Sequence, residues 1–315
     1  MDDLNFTDLY RDCQLCPRQC GVDRSKGGKK GFCRESDHLR VSHIGPHFGE
    51  EPPVSGTKGS GTVFLSGCSL RCSFCQNHQI SLEGMGDTLS PLEFVTKLED
   101  LIRVRQVHNL NFVTPDHFFP HIFDAIGSLR KKGFETPMLL NTSGYQSLVL
   151  LRQAEAFADL YLPDFKYSKG ALAESLSQCR DYPAVALSAI TEMVRQKGLL
   201  DVFETGADIA SKGVLVRHLI LPGHVDNSMG ALTTLFLEFG KNLPISLMSQ
   251  YHPVRRQKIE ALNRRLNREE FAAVYDHARS LGFTNLFVQF PPNFGEDEED
   301  LRFLPDFRKP SPFDV

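Results

Sequence analysis

No apolar run in this 315-residue chain approaches the roughly 20 residues a membrane-spanning helix needs, so no membrane contact is expected. The opening Met1-Asp2-Asp3-Leu4 is acidic and has no secretion-signal core. With no address to read, the expected compartment is the cytoplasm. An excess of positive charge is missing too: the formal net charge of −4 gives no hint of a nucleic-acid partner. Cysteine is nearly absent over most of the chain, since only Cys179 follows Cys75. The other seven cysteines fall before residue 76, and in a reducing compartment such crowding indicates metal, with a disulfide framework a distant third choice. A chain of this length buries roughly 75% of its unfolded surface, so no cross-links are needed to stabilise it.

Cys68, Cys72 and Cys75 organise the reading. The run Thr62-Val-Phe-Leu65 reads as a buried strand that stops at Ser66-Gly67, and the cysteines follow in a loop at its C-terminal end. Thiolates are the soft ligands that iron–sulfur clusters and zinc require. Three thiolates at C-x3-C-x2-C spacing can hold three irons of a cubane and leave the fourth iron without a protein ligand. An open coordination position separates a reactive metal site from a closed structural one. A zinc site that borrows a fourth ligand from elsewhere is the alternative.

A second group, Cys13, Cys16, Cys20 and Cys33, has the spacing C-x2-C-x3-C-x12-C. Four thiolates can close a tetrahedral zinc site or bind a full iron–sulfur cubane, and spacing alone does not choose. We expect either a structural knuckle or an auxiliary cluster, and favour iron–sulfur because the main site already commits the cell to loading clusters here.

From Val41 to about Gly56 the chain reads as a loop rich in proline and glycine, with Glu50 and Glu51 expected as a solvated pair on a turn. Beyond the cysteine loop, strands and helices alternate. Strands are expected at 109–113, 137–141, 160–165, 214–221, 245–248 and 285–290. Helices are expected from Ser90-Pro91 onward and at 119–129, 148–157, 168–178, 182–197, 229–239 and 268–281. Repeated βα units with strands apolar on both faces imply an α/β fold with a parallel sheet, an open or partial barrel. The division expected is a cysteine-rich extension over 1–45, a partial barrel over 46–290 and an acidic, proline-rich tail over 291–315 that caps the barrel or stays mobile.

In such folds functional groups gather where strands end. The predicted strand ends are polar: Thr114-Pro115-Asp116-His117, Asn141-Thr142-Ser143-Gly144, Asp164-Phe165-Lys166, Arg217-His218 and Gln250-Tyr251-His252. Charge inside an apolar strand is costly unless paired or used. Asp164 and Lys166 share a strand face and can pair with each other or face the mouth. Arg217 has the same two readings, with a core carboxylate as its structural partner. His252 reads equally as a packed histidine and as a ligand contact.

The stretch Gly67-Cys-Ser-Leu-Arg-Cys-Ser-Phe-Cys-Gln-Asn77 resembles the signature of the radical S-adenosylmethionine (radical SAM) superfamily, in the branch related to pyruvate formate-lyase activating enzymes. The run Glu50-Glu-Pro-Pro-Val-Ser-Gly56 is similar to one that precedes the cysteine motif in activating-enzyme relatives without assigned function. The resemblance implies a [4Fe–4S] cluster on Cys68, Cys72 and Cys75 whose open iron takes S-adenosylmethionine. Reductive cleavage to a 5′-deoxyadenosyl radical and hydrogen abstraction would follow. It implies an electron donor such as flavodoxin or ferredoxin, and a possible protein substrate such as a glycyl-radical enzyme. By the same resemblance, Phe74 meets the adenine, while Asp164, Lys166 and His252 contact the cofactor. Asn141-Thr142-Ser143-Gly144 stands where the family has Asp-Thr-Asn-Gly, without the first carboxylate of that family's monovalent-cation site. The family's Gly-Gly-Glu has no counterpart; Val113-Thr114-Pro115-Asp116 stands there, so Thr114 or Asp116 inherits the contact to the methionine amine. The competing expectation is an iron–sulfur or zinc scaffold, or an electron-transfer protein, that makes no radical.

Overall fold

The computed structural model describes residues 6–26, 31–291 and 304–313. Seven strands form the larger sheet: β1 (Arg40–His47), β2 (Ser60–Leu65), β3 (Asp87–Thr88), β4 (Leu110–Val113), β5 (Met138–Thr142), β6 (Leu160–Pro163) and β7 (Gly213–Val214), ordered β3-β1-β2-β4-β5-β6-β7. From β2 to β7 every pairing is parallel, and only β1 runs antiparallel to its neighbours. A second, three-stranded parallel sheet holds β8 (Val216–Leu219), β9 (Ile245–Met248) and β10 (Leu286–Val288). One bridge, Asp164 to Arg217, ties the end of β6 to β8 across the seam. The result is the expected α/β architecture with a mostly parallel sheet, and among the described residues no pairing closes it into a barrel.

The helices follow from sequence chemistry. After the short α1 (Pro52–Ser55) and α2 (His78–Ser81) comes α3 (Pro91–Arg103), opened by a capping box. There Ser90 accepts from the Glu93 amide while the Glu93 side chain reaches back to the cap, and Pro91 fits a first turn that needs no amide donor. Its Phe94, Val95, Leu98 and Leu101 recur at helical spacing and are buried. The crossovers continue with α4 (Phe119–Lys131), α5 (Leu148–Ala154), α6 (Gly170–Ser177), α7 (Tyr182–Lys197), α8 (Val202–Thr205), α9 (Val225–Phe239) and α10 (Arg268–Leu281). A second capping box, Asn267 with Glu270, starts α10, and Gly282 at φ 85° stops it. No described helix is long and apolar enough to cross a membrane.

Three expectations change. The proline- and glycine-rich stretch after Val41 is a strand, β1, followed by α1. The boundary drawn at residue 45 therefore falls inside β1. The single apolar run 214–221 is two strands, β7 and β8, which belong to different sheets. Helix α9 starts at Val225, four residues earlier than expected, because Asn227 turns inward and its Oδ1 accepts the Ser168 amide at 3.0 Å.

Of the tail, the acidic run Glu296 to Asp300 lies outside the described residues. Residues 304–313 fold back over β2. Gln79 Nε2 donates to Asp306 (3.0 Å), the Phe307 amide donates to Gln79 Oε1 (2.7 Å), and the Phe307 and Phe313 rings pack on Phe64.

Candidate metal and cofactor site

Strand β2 is buried along its whole length and delivers the cysteine loop to the C-terminal edge of the sheet. Gly67 makes the turn at φ 78°, where a Cβ would lie 2.4 Å from the Glu35 side chain and 2.9 Å from the Cys33 carbonyl. Glycine alone allows this close approach between the two cysteine regions. Cys68 Sγ then accepts from the amides of Leu70 (3.3 Å) and Arg71 (3.4 Å), and Arg71 holds a left-handed φ of 53°. Amides aimed at a sulfur favour its thiolate. Against them, burial pushes the Cys68 thiol up, with Cys72 and Asp116 adding to the rise. Burial likewise raises Cys75, opposed by the Ser81 hydroxyl and Lys166. Sulfurs gathered on one short loop, with backbone amides and Lys166 directed at them, suit a metal that binds them as thiolates. Among the described residues, no group of three or more His, Cys, Asp or Glu side chains converges on a single-ion position.

All three cysteines open onto one cavity of about 640 Å³ at the mouth of the parallel strands. Its walls also carry Phe74, Thr114, Asn141, Ser143, Asp164, Lys166, Arg217 and His252. The strand-end residues expected to contact the cofactor thus come together except Asp116, while His117 and His218 turn away to the carbonyls of Ser66 and Phe165. Asp116 does not line this cavity. It is completely buried beneath the cysteine loop, where it accepts a short bond from the Ser69 hydroxyl, and burial pushes its carboxyl above the ordinary range. Its place braces the loop from below rather than facing the lumen.

Asp164 and Lys166 do both things expected of them: they form an ion pair with each other and line the cavity. Burial alone would depress the Lys166 ammonium, but Asp164, Cys72 and Cys75 outweigh it and raise it. The pair is held from behind by Tyr182, whose hydroxyl oxygen accepts the Lys166 amide (2.9 Å) and lies 2.8 Å from the Ser143 carbonyl and 2.9 Å from that of Asp164. Gly144, at φ 79°, lets β5 pass the Asp164 carbonyl, which a Cβ there would approach to 2.1 Å. Across the mouth, Thr114 sits at φ 56° with its amide on the Asn141 carbonyl (2.8 Å). A β-branched residue rarely adopts this conformation, and it persists only where the surroundings hold it.

Glu50 and Glu51 overturn the expectation of a solvated pair. Both carboxylates are only 7% exposed and both grip Arg217, which donates to Glu51 at 2.9 and 2.7 Å and makes a shorter contact to Glu50. Glu50 also accepts from Asn111 at 2.9 Å. Burial pushes the Glu51 carboxyl up, but Arg217 and the Ser246 hydroxyl bring it below its ordinary value. The sequence signal was the Arg217 guanidinium itself: a cation in a buried strand needs a carboxylate, and two adjacent ones stood unassigned. Tyr182 had no comparable signal.

In the N-terminal region Cys13, Cys16 and Cys33 are buried; burial pushes the Cys16 thiol up, and Cys33 and Cys13 add to the rise. Cys20 Sγ accepts the Phe32 amide at 3.3 Å, one residue before Cys33. Sequence reasoning missed Arg24, a fully buried guanidinium that donates to the carbonyls of Ser36 (2.6 Å), His117 (2.7 Å) and Glu35 (3.2 Å) and lies 3.8 Å from Cys13 Sγ. A buried cation beside thiols compensates the negative charge that metal-bound thiolates carry.

No family model matches the chain. An uncharacterised protein of Methanocaldococcus jannaschii is 26% identical over 272 residues, covering 83% of this chain and 72% of its own. Among solved structures, Streptococcus suis SuiB bound to S-adenosylmethionine aligns at TM-score 0.45 and 9% identity over 71% of this chain. HydG, a maturase of the [FeFe]-hydrogenase, aligns at TM-score 0.48 and 14% identity over 72% of this chain. Methylornithine synthase (PylB) aligns at TM-score 0.42 and 12% identity over 74% of this chain and 73% of its own. This chain spans 45% of SuiB and 50% of HydG.

Proposed function

We propose that this chain is a radical SAM enzyme of the activating-enzyme-like branch. The observation that carries the reading is that Cys68, Cys72 and Cys75, spaced C-x3-C-x2-C, share one cavity with the Asp164–Lys166 ion pair. At about 640 Å³ the cavity falls within the size range of small-molecule sites.

In this reading the three loop cysteines hold a [4Fe–4S] cluster. Asp164 and Lys166 offer opposite charges to the amino and carboxylate groups of S-adenosylmethionine, and Thr114, Asn141, Ser143 and His252 line its remaining surface. Phe74, packed 6.1 Å from Tyr251 ring to ring, fixes the loop beside the adenine. Cluster and cofactor together supply reductive cleavage of the sulfonium and, through it, removal of a hydrogen atom from substrate. The protein's own part is to orient and to exclude water: Tyr182 locks the ion pair, Glu50 and Glu51 fix Arg217, and Phe313 walls the mouth. The N-terminal thiols, with Arg24 beside them, hold a second cluster or a zinc ion. Hydrogen donation by a partner polypeptide, and a reducing, cytoplasmic setting for the thiols, belong to the same proposal.

Anaerobic reconstitution followed by assay of 5′-deoxyadenosine under dithionite tests it. The wild type should form the product, Cys72→Ala should form none, and Cys179→Ala should be unaffected. A fully loaded wild type that makes no 5′-deoxyadenosine ends the enzyme reading and leaves the scaffold.

A further inference from the structure

The cysteine loop has two faces. Cys68, Leu70, Cys72, Phe74 and Cys75 line the main cavity, whereas Arg71 and Ser73, interleaved with them, line a second cavity of about 570 Å³ on the other side. That second cavity is basic in a chain whose net charge is −4: Arg34, Arg71, Arg255, Arg256 and Lys258 surround it, with Glu83 as its one carboxylate. Five cations gathered around one carboxylate repel one another, and an acidic partner would relieve that repulsion.

The basic rim is also fastened to the loop. Gln257, between Arg256 and Lys258, donates through Nε2 to the Ser73 carbonyl (3.0 Å) and accepts the Ser73 hydroxyl on Oε1 (2.9 Å). The Ser73 amide donates to Leu176 (2.8 Å), and Arg18 ties the Ser69 carbonyl (3.0 Å) to that of Ser177 (2.7 Å). A partner seated here lies against the same loop whose cysteines line the main cavity on its other face.

We propose that this basic cavity is the docking site of an acidic one-electron carrier protein. The inference rests on the function proposed above, which needs an electron delivered without opening the main cavity to solvent. One electron leaves the carrier, which is oxidised, and enters the iron–sulfur centre held by Cys68, Cys72 and Cys75, which is reduced; no bond or proton moves. Arg34, Arg255, Arg256 and Lys258 are exposed around an open concavity with Arg71 half-buried at its floor, which fits a complementary protein surface better than a small buried anion.

Arg255→Glu/Arg256→Glu/Lys258→Glu takes the cavity's formal charge from +4 to −2 and touches no cysteine, cofactor or main-cavity residue. Binding of oxidised flavodoxin, an acidic carrier, to reconstituted full-length protein is read by titration calorimetry, independently of turnover. We expect the triple variant to bind at least about 10-fold more weakly at ~50 mM salt. Binding to wild type should weaken steeply toward ~500 mM salt, where the Debye length has shrunk to a few ångström. Dithionite-driven 5′-deoxyadenosine should be unchanged in the variant while flavodoxin-driven product falls with binding. Equal affinity of variant and wild type overturns the proposal. So does salt-independent binding to wild type, a measurement that stands even where the variant does not fold. Occupation by pyrophosphate or single-stranded RNA in place of flavodoxin also overturns it. Failure of the dithionite arm in wild type strikes the proposed function instead.

Discussion

Arg217→Met is the sharpest test of how the cavity wall is held. The substitution keeps the length and packing of the side chain but leaves Glu50 and Glu51, each 7% exposed, facing one another without a cation. Removing one partner of a buried ion pair costs about 3–5 kcal/mol, because the survivor stays desolvated and uncompensated. An unfolding entropy near 2.1 cal/mol/K per residue gives roughly 0.66 kcal/mol/K for the whole chain, so Tm should fall by about 5–8 °C at pH 7.5. The pH dependence has a definite sign. In the wild type the Glu51 carboxyl lies below its ordinary value despite burial, because of Arg217. Its stabilisation is therefore fully present above the unfolded carboxyl pKa of about 4.3 and is lost only as pH falls through the lower folded value. Without Arg217 only the Ser246 hydroxyl and a backbone hydrogen bond oppose burial, and the folded carboxyl should rise above the unfolded one. The deficit then grows as pH rises and shrinks toward pH 5, where a protonated carboxyl needs no cation. Thermal melts by circular dichroism at pH 5 and 7.5 measure this, and adding Glu50→Gln and Glu51→Gln to Arg217→Met should recover most of the loss. A variant that melts within about 2 °C of wild type at pH 7.5, or loses equally at both pH values, refutes the ion-pair account.

Gly144→Ala would force a Cβ to 2.1 Å from the Asp164 carbonyl at φ 79°, so we expect destabilisation of more than about 2 kcal/mol in urea melts, together with weakened S-adenosylmethionine binding. Asp116→Asn keeps an acceptor for Ser69 but removes a carboxyl that burial has pushed up. A raised acid costs stability above its unfolded pKa, so the variant should be more stable than wild type at pH 7 by on the order of 1 kcal/mol, and the gain should vanish near pH 4 in urea melts. Cys13→Ala/Cys16→Ala should drop the iron count after reconstitution by about four atoms per chain while retaining the loop cluster; loss of zinc instead would assign the knuckle to zinc.

Much of this molecule was readable from pattern alone. The βα alternation, the limits of α7, α10 and β9, and the cavity residues on or just past β5, β6 and β8 all followed from apolar runs with polar ends. What escaped did so for local reasons. Strand β1 has a burial pattern without clean alternation, carries Gly45 and Pro46, and bulges between Val41 and His43, so neither period nor composition marked it. Glu50 and Glu51 read as a turn because their partner, Arg217, is 166 residues away from Glu51. Asp116 looked like a substitute for a missing glutamate, yet the short helical turn Asp116–Phe118 that follows Pro115 aims it under the loop. Thr114 at that junction adopts a backbone conformation that glycine reaches without strain.

The two sheets meet where the backbone of Asp164 bridges to that of Arg217, and the side chains of the same two residues face the pocket with Lys166, Glu50 and Glu51. Join and lining thus sit on the same residues. Retooling the lumen for a differently charged guest at Arg217 would strand Glu50 and Glu51 without a cation right beside that join. Redesign must instead work along the apolar wall of Leu219, Met248 and Phe287, where shape can change while the stitching stays intact.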